Sequence, residues 1–265
     1  MASTQQLKSR IRSVKNTKQI TKAMQMVAAS KMRRAQDATR ASKPYTSSAD
    51  DLLAYLSSQG VTDNHPLFRK RAIKSRLIIV IAADKGLAGA YNSSVLKKYV
   101  ELLKRDDDRG INNLTITVGR KASQFASRLK DTEIIGTYDD LPDKPEGVTF
   151  HTILNTACDM YRNKEVDAVT VVYTNFVTSI TQEASRMRLL PAGTPVDSDP
   201  AKIPDNIQDA RYEPSPAEVL DAVAYRLVGA ELYQAFLDAR ASEHSMRMIK
   251  RFRSEERRVG KECRS

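Results

Sequence analysis

The sequence predicts an α/β protein in which a long helix at each end of the chain packs on the other, with an α/β domain beside them. Three observations lead to this prediction. Helical composition runs from Gln5 to Ser57, strand-length apolar runs alternate with helices in the middle, and a second long helical stretch follows a Pro-rich connector. The 265 residues are enough for one or two domains.

The N-terminal helix is predicted from Gln5 to Ser57, with Pro44 tolerated inside it. Its apolar residues step by threes and fours, with one reset of the register near Asn16, and are Leu7, Ile11, Val14, Ile20, Met24, Val27, Ala28, Met32 and Ala35. This spacing is typical of a coiled-coil seam, which needs a partner helix. At about 1.5 Å per residue the helix would be about 80 Å long, more than the width of a compact domain.

The net charge of +11 is concentrated in this first helix. Residues 1–45 contain eleven Lys and Arg residues against the single acid Asp37, which gives +10 there and leaves +1 for the remainder. A solvated helix normally mixes Glu with Lys at i,i+4 spacing, which this one does not. A partner with negative charge is therefore favoured over a purely solvated face, which is the alternative.

The middle of the chain alternates strands with helices. Predicted strands are Arg76–Ala83, Leu114–Gly119, Glu133–Tyr138, Asp167–Phe176 and Thr178–Pro191. Predicted helices are Ser93–Arg105, Lys121–Lys130 and Thr149–Asn163. This order indicates βαβ units and a mostly parallel sheet. Residues 193–216 are rich in Pro and Asp and are predicted to connect this domain to a helix that begins at Ala217.

No motif predicts catalysis, a cofactor site or a metal site. The turn "DKGLAG" (Asp84–Gly89) follows a strand and precedes a helix, but it lacks the glycine spacing of phosphate-binding loops, so we interpret it as a tight turn. His65, His151 and His244 have no ligand spacing and are predicted to have surface or capping roles. Cys158 is predicted to pack inside a helix.

Several blocks of the sequence closely resemble the gamma subunit family of F-type ATP synthases. The N-terminal signature of that family is similar to "RIRSVKNTKQITKAMQMVAASKMRRAQ" (Arg10–Gln36). The other similar blocks are "DKGLAGAYN" (Asp84–Asn92), "VDAVTVVYTNFVTSITQEASRMRLLP" (Val166–Pro191), "YEPSP" (Tyr212–Pro216) and "ASEHSMRM" (Ala241–Met248). The resemblance covers residues 5–248 in the family's order.

The resemblance implies an antiparallel coiled coil of the N- and C-terminal helices plus a Rossmann-like α/β domain with a mostly parallel sheet. It implies a central-stalk rotor that couples ion flow through the c-ring to ATP synthesis on the alpha/beta hexamer, without catalysis or a cofactor of its own. The implied partners are the alpha, beta and epsilon subunits and the c-ring. The implied location is peripheral, on the cytoplasmic side of the bacterial inner membrane.

The family also implies a division of the chain and a set of contact residues. The expected parts are the N-terminal shaft helix 1–60, the α/β domain 75–195, the connector and foot 196–216, the C-terminal shaft helix 217–252 and a tail 253–265. The residues expected to contact the stator are Lys22, Met24, Glu243 and Arg247. The residues expected to contact the c-ring are Tyr212 and Glu213.

Beyond Met248 the chain departs from the family, whose C-terminal helix continues for many turns. The segment "RSEERRVGKECRS" (Arg253–Ser265) resembles the translation of a sequencing adapter, so we expect it to be non-native, with a natural basic tail as the alternative. On this interpretation the first turns of the N-terminal helix, including Leu7, Ile11 and Val14, lack their partner.

A basic coiled-coil protein that binds nucleic acid is the second function compatible with the charge. Such binding would depend strongly on salt, because the helix would displace counterions from phosphates. The basic helix carries no interleaved aromatic residues, and the α/β domain would have no role in such a protein. The resemblance therefore implies that nucleic acid is not a partner.

Overall fold

The computed structural model describes residues 4–58, 60–130, 132–140, 142, 147–193, 213 and 215–262. Helices are α1 (Thr4–Ser58), α2 (Tyr91–Asp107), α3 (Arg120–Ala126), α4 (Val148–Arg162) and α5 (Pro216–Glu262), with a short 3-10 helix at Val61–Asn64. Strands are β1 (Ser75–Ile81), β2 (Asn112–Val118), β3 (Glu133–Tyr138), β4 (Ala168–Phe176) and β5 (Gln182–Leu190).

The first helix is continuous over 55 residues and contains Pro44, as predicted. A proline inside a helix removes one backbone hydrogen bond, at a cost of about 3 kcal/mol. Pro44 is exposed, so water can reach the carbonyl group that loses its partner. Packing of the second half of the helix, where Leu53 and Leu56 are buried, offsets this loss.

Helices α1 and α5 pack antiparallel, which confirms the predicted pairing of the chain ends. Leu53 and Leu56, near the end of α1, share a buried cluster with Leu220 and Ala224, near the start of α5. Farther along, the stretch of α1 around Met24 faces the later part of α5. The seam is buried at Ala28, Met32 and Ala35. The small side chains of Ala28 and Ala35 let the two helices approach closely.

The first turns of α1 show a different environment. Leu7, Ile11, Val14 and Ile20 have between 49% and 61% of their surface exposed, so this part of the apolar stripe is open to solvent. Helix α5 continues past Phe252, where the predicted shaft segment ends, and runs to Glu262. Lys, Arg and Glu dominate this extension, and all three are good helix formers.

The five strands form one sheet in the order β3-β2-β1-β4-β5. The first four strands are parallel and β5 is antiparallel to β4, which confirms the mostly parallel sheet. In the central register, Leu77 of β1 lies opposite Leu114 of β2 and Val169 of β4. The chain moves outward from β1 to β3 and then returns to β4 on the other side of β1. The point between β1 and β4 is therefore the topological switch point of the sheet.

Two cores flank the sheet and explain the burial of both faces. On one face the strands pack against α4, α5 and the end of α1, with Ile79, Ile153 and Phe236 in the centre. On the other face α2 and α3 cover the sheet, with Tyr99 and Leu102 fully buried. Burial on both faces is why β1 reads as a continuous apolar run rather than an alternating one.

Two predicted boundaries in this domain were wrong. The helix predicted at Lys121–Lys130 ends at Ala126, and turns follow it. The last strand begins at Gln182 rather than Thr178, because Thr178 forms a turn in which its hydroxyl oxygen accepts the backbone N–H groups of Ile180 and Thr181. Within the described part of the chain, no helix is both long and apolar enough to span a membrane.

Candidate functional site

A cleft of about 520 Å³ lies where the two long helices meet the carboxyl edge of the sheet. One wall is the segment Ile20–Lys31 of α1, with Met24 and Val27 among its apolar side chains. The other wall is the segment Arg240–Arg247 of α5, and the floor comes from Asp84, Lys85 and Asp140 in loops of the sheet. We call this the collar cleft.

Asp84 lies in the loop that follows β1, at the floor of the collar cleft. Its Oδ1 atom accepts the backbone N–H of Arg120 at 3.1 Å and that of Asp140 at 3.0 Å. Its Oδ2 atom lies 3.6 Å from a guanidinium nitrogen of Arg240 on α5. One carboxylate therefore joins the loops that follow β1, β2 and β3 to the shaft helix.

Along α5 the charges continue as alternating ion pairs. Arg240 donates to Oε2 of Glu243 at 2.9 Å, and Arg247 donates to Oε1 of the same carboxylate at 2.7 Å. Burial alone would lower the pKa of Arg240, but the carboxylate of Glu243, with Tyr91 and Asp84, outweighs burial and raises it. We call Asp84, Arg240, Glu243 and Arg247 the charge chain.

A buried phenol lies next to the charge chain. Tyr91, at the start of α2, is fully buried, and this burial, followed by the negative charge of Glu243, raises the pKa of its hydroxyl. The phenol therefore stays neutral at physiological pH and adds no charge to the chain. Met246 of α5 packs against the same small cluster, which also contains Ala83 and Ala88.

Hydroxyl groups attach α5 to the ends of β4 and β5. Ser242 donates to the carbonyl of Thr174 at 3.3 Å, and Ser245 donates to the carbonyl of Ser179. The side-chain amide of Gln182 donates to Oγ of Ser245 at 3.0 Å. Helix α5 thus covers the switch point at which open parallel sheets usually bind ligands.

Comparison with known proteins identifies the family. The sequence model of the ATP synthase family matches residues 3–251. The ATP synthase gamma chain of Xylella fastidiosa (strain M12) is 35% identical over 250 residues, which are 94% of this chain and 85% of that protein. The gamma chain of Azoarcus sp. (strain BH72) is 38% identical over 252 residues, with 94% and 86% covered. The chain belongs to the family of ATP synthase gamma chains.

Solved structures agree with this assignment. The structure of the central stalk and c-ring of the Tetrahymena thermophila mitochondrial ATP synthase contains a chain that matches with a TM-score of 0.60 and 26% identity. The match covers 89% of this chain and 99% of that chain. The gamma fold, with two long helices and a mostly parallel sheet, is therefore confirmed, and so is the function of a gamma-type rotor subunit in the central stalk.

The structure brings together three of the four residues expected to contact the stator. Met24, Glu243 and Arg247 all line the collar cleft, whereas Lys22 is exposed on α1 and does not line it. Glu243 has only 4% of its surface exposed and both its oxygens accept hydrogen bonds from arginines. Of the two residues expected to contact the c-ring, Glu213 is exposed and Tyr212 lies outside the described residues.

Other sequence-based predictions for this gamma chain had mixed outcomes. Cys158 is fully buried, as predicted, and burial raises the pKa of its thiol to about 11. His65 follows the 3-10 helix and its Nδ1 accepts the backbone N–H of Leu67, a capping role. A surface role for His244 was wrong, because the residue is buried within α5. In the described part of the chain, no cluster of three or more His, Cys, Asp or Glu side chains is arranged to hold a metal ion.

Sequence analysis missed Asp84 and Arg240 as functional candidates. Asp84 was noted only as the first residue of a turn, and Arg240 only as part of a helix. A signal for Asp84 was present, because an acidic residue directly after a buried strand lies at the carboxyl edge of the sheet. No sequence signal paired it with Arg240, since the contact depends on how α5 crosses that edge.

Asp238, a carboxyl group on the shaft helix, is buried with 8% of its surface exposed. Asp238 accepts a hydrogen bond from Gln234 at 3.0 Å, and burial raises its pKa to about 6. The folded protein binds the proton of the Asp238 carboxyl group more tightly than the unfolded chain does. Below about pH 4 this group is mostly protonated in both states, so its ionisation costs no folding stability. The cost develops as the pH rises and is complete above about pH 7.

We therefore expect Asp238→Asn to raise the free energy of unfolding by about 2–3 kcal/mol at pH 8 and to have little effect at pH 4. Asparagine keeps an oxygen that can accept the hydrogen bond from Gln234. Urea unfolding of both proteins across this pH range measures the effect. Exposed Asp37→Asn is the control, and a gain for Asp238→Asn that does not depend on pH would contradict the assignment.

Proposed function

We propose that this gamma chain acts without catalysing a reaction itself, as a shaft that turns inside the alpha/beta hexamer and rests on the c-ring. The observation that supports this most is α1, whose 55 residues span about 82 Å at 1.5 Å per residue. Its first 20 described residues are almost entirely exposed and strongly cationic. A helix of this length and charge suits the axis of a surrounding assembly with acidic loops.

The surface of the shaft suits a part that must slip from one position to the next. The stretch of α1 at the collar cleft carries Ala23 and Met24, which are not buried in the seam, and methionine is soft and adaptable. Exposed ion pairs contribute only about 0–1 kcal/mol each, so contacts between surface lysines and acidic stator loops can break at each step. Deep apolar contacts would hold the rotor in one orientation.

For the stator contact, we propose that Met24 and Arg247 meet the hexamer at the collar cleft, with Lys22 beside them on the exposed face. Glu243 is enclosed by Arg240 and Arg247, which supports an indirect role: it orients the arginines toward the stator. Tyr212 and Glu213 are proposed to contact the c-ring from the connector and foot at 196–216. The proposed arrangement keeps the predicted parts of the chain, with shaft helices at 1–60 and 217–252 and the α/β domain at 75–195.

The remaining proposed partner is the epsilon subunit, and the proposed location is peripheral, on the cytoplasmic side of a bacterial inner membrane. Support for this location comes from the relatives, which are gamma chains of bacteria such as Xylella fastidiosa and Azoarcus. We do not retain nucleic-acid binding as a function, since the proposed acidic stator loops are a partner for the cationic helix.

Met24→Lys tests the stator contact in the assembled ATP synthase. We expect the complex to assemble and hydrolyse ATP while it pumps fewer ions per ATP, because a new ion pair would hold a surface that has to slip. One added ion pair of about 1 kcal/mol changes a binding equilibrium about fivefold. ATP hydrolysis and ion pumping are measured in the same vesicles.

Met26→Lys is the matched control for this experiment. Met26 lies two positions away, has 67% of its surface exposed and does not line the collar cleft. We expect it to leave pumping per ATP unchanged. If Met24→Lys also pumps as many ions per ATP as the unmodified complex, Met24 does not contact the stator as proposed.

A further inference from the structure

We propose that Asp84 is a positioning residue that holds the α/β domain to the shaft helix α5 through Arg240, so that domain and helix turn together when torque is transmitted. We call this Asp84–Arg240 contact the lock. This inference rests on the rotor function proposed above. It assigns a role inside the rotor rather than a contact with the stator or the c-ring.

The two oxygens of Asp84 have separate tasks. Oδ1 accepts two backbone N–H groups, from Arg120 after β2 and from Asp140 after β3. Oδ2 is left for Arg240 on α5. The carboxylate therefore fixes three strand-end loops in one place and presents a charge to the shaft helix from that fixed point.

The position of Asp84 in the sheet makes the contact mechanically effective. It follows β1, the middle strand of the order β3-β2-β1-β4-β5. A contact at the end of the central strand acts on the whole sheet, whereas a contact at an edge strand would act through one neighbour. Other contacts of α5 at this edge include the packing of Met246 and neutral hydroxyl and amide hydrogen bonds to β4, β5 and the turn between them.

Burial keeps the lock strong. The side chains of Asp84 and Arg240 are 11% and 12% exposed, so water and salt screen their attraction less than on an open surface. The charge chain contains two acids and two bases, so its formal charges cancel and its burial is tolerated. Glu243 in turn holds Arg240 in place, which reduces the freedom that the guanidinium loses when it pairs with Asp84.

The first test measures the Asp84–Arg240 contact in the isolated 265-residue chain. We expect Arg240→Gln to speed hydrogen exchange in the loop from Asp84 to Tyr91 about fivefold, as loss of a contact of this kind allows local opening. Asp84→Ala should in addition speed exchange of the Arg120 and Asp140 amides, which lose their acceptor. Arg226→Gln, an exposed arginine on the same helix, is the control and should change neither.

The second test measures stiffness in the assembled complex. With the hexamer immobilised and a bead fixed to α2, we expect the angular fluctuation of the paused rotor to widen in Asp84→Asn and in Arg240→Gln. Both changes remove the Asp84–Arg240 contact, and Arg240→Gln also removes the ion pair with Glu243, so the double variant should be no wider than Arg240→Gln alone. Arg226→Gln should fluctuate as the unmodified rotor does.

Two results would overturn the proposal. One is exchange in the Asp84–Tyr91 loop that Arg240→Gln leaves unchanged, and the other is a double variant whose fluctuation is the sum of the single effects. Failure of the rotor function is seen separately, because the unmodified complex would then not rotate at all. In that case the hydrogen-exchange measurement still shows whether the Asp84–Arg240 contact holds the α/β domain to α5.

Discussion

Replacing Gly119 by alanine is expected to lower the free energy of unfolding of this chain by more than about 4 kcal/mol, among the largest effects of any single substitution. Gly119 lies between β2 and α3, beside the loop that follows β1, with φ at 91°. A Cβ atom there would overlap the carbonyl oxygen of Ala82 and lie 2.9 Å from the carbonyl carbon of the same residue. The backbone at Gly119 cannot shift to relieve this overlap as a flexible side chain could, because its N–H donates a hydrogen bond to the carbonyl of Tyr138 at 2.7 Å.

Two other glycines separate the parts of this effect in urea unfolding. Gly110→Ala also places alanine at a positive φ, 66°, but its Cβ meets nothing within 4 Å, so we expect a loss of about 1–2 kcal/mol. Gly86→Ala has neither strain nor a close neighbour and should change stability by less than about 0.5 kcal/mol. Equal losses for Gly119→Ala and Gly110→Ala would show that the overlap with Ala82 is relieved.

The elements that sequence predicted best are those whose pattern has one physical explanation. Strand β1 was predicted within two residues of its ends, because a strand buried on both faces requires a continuous apolar run. The length of α1 was predicted within a residue at each end, since Gly and strong breakers other than Pro44 are absent from it. The partner of the seam followed from the spacing, because a narrow apolar stripe is stable only when a second helix covers it.

The elements that sequence predicted poorly depend on contacts between distant residues. The last strand was begun too early because nothing in the pattern distinguishes a turn closed by Thr178 from an extended strand. Burial of His244 was missed because its side of α5 faces the end of the sheet, and helical periodicity does not say what a face packs against. The Asp84–Arg240 contact was missed for the same reason.

The second large effect concerns a buried ion pair at the opposite edge of the sheet. Arg76 at the start of β1 donates from Nε to Oδ2 of Asp106 at 2.5 Å and from Nη1 to the hydroxyl of Thr170 at 2.9 Å. Asp106 is fully buried in the last turn of α2, where an acid is unfavourable because the helix dipole places negative charge there. Its presence at this position is explained by its pairing with Arg76, which links β1, β4 and α2.

We expect Asp106→Asn to destabilise the chain by about 3–5 kcal/mol, because it leaves the charge of Arg76 buried without its partner. Urea unfolding measures the loss, and Asp107→Asn, an exposed neighbour in the same helix turn, is the matched control with an expected change below about 0.5 kcal/mol. The cost arises from the uncompensated charge and not from a missing contact, so removing both partners should be less harmful than removing one. Arg76→Met combined with Asp106→Leu is therefore expected to be more stable than Asp106→Asn alone. A double variant that is as unstable as the single one would show that this pair stabilises the domain by its attraction, and that desolvation is the smaller part of the balance.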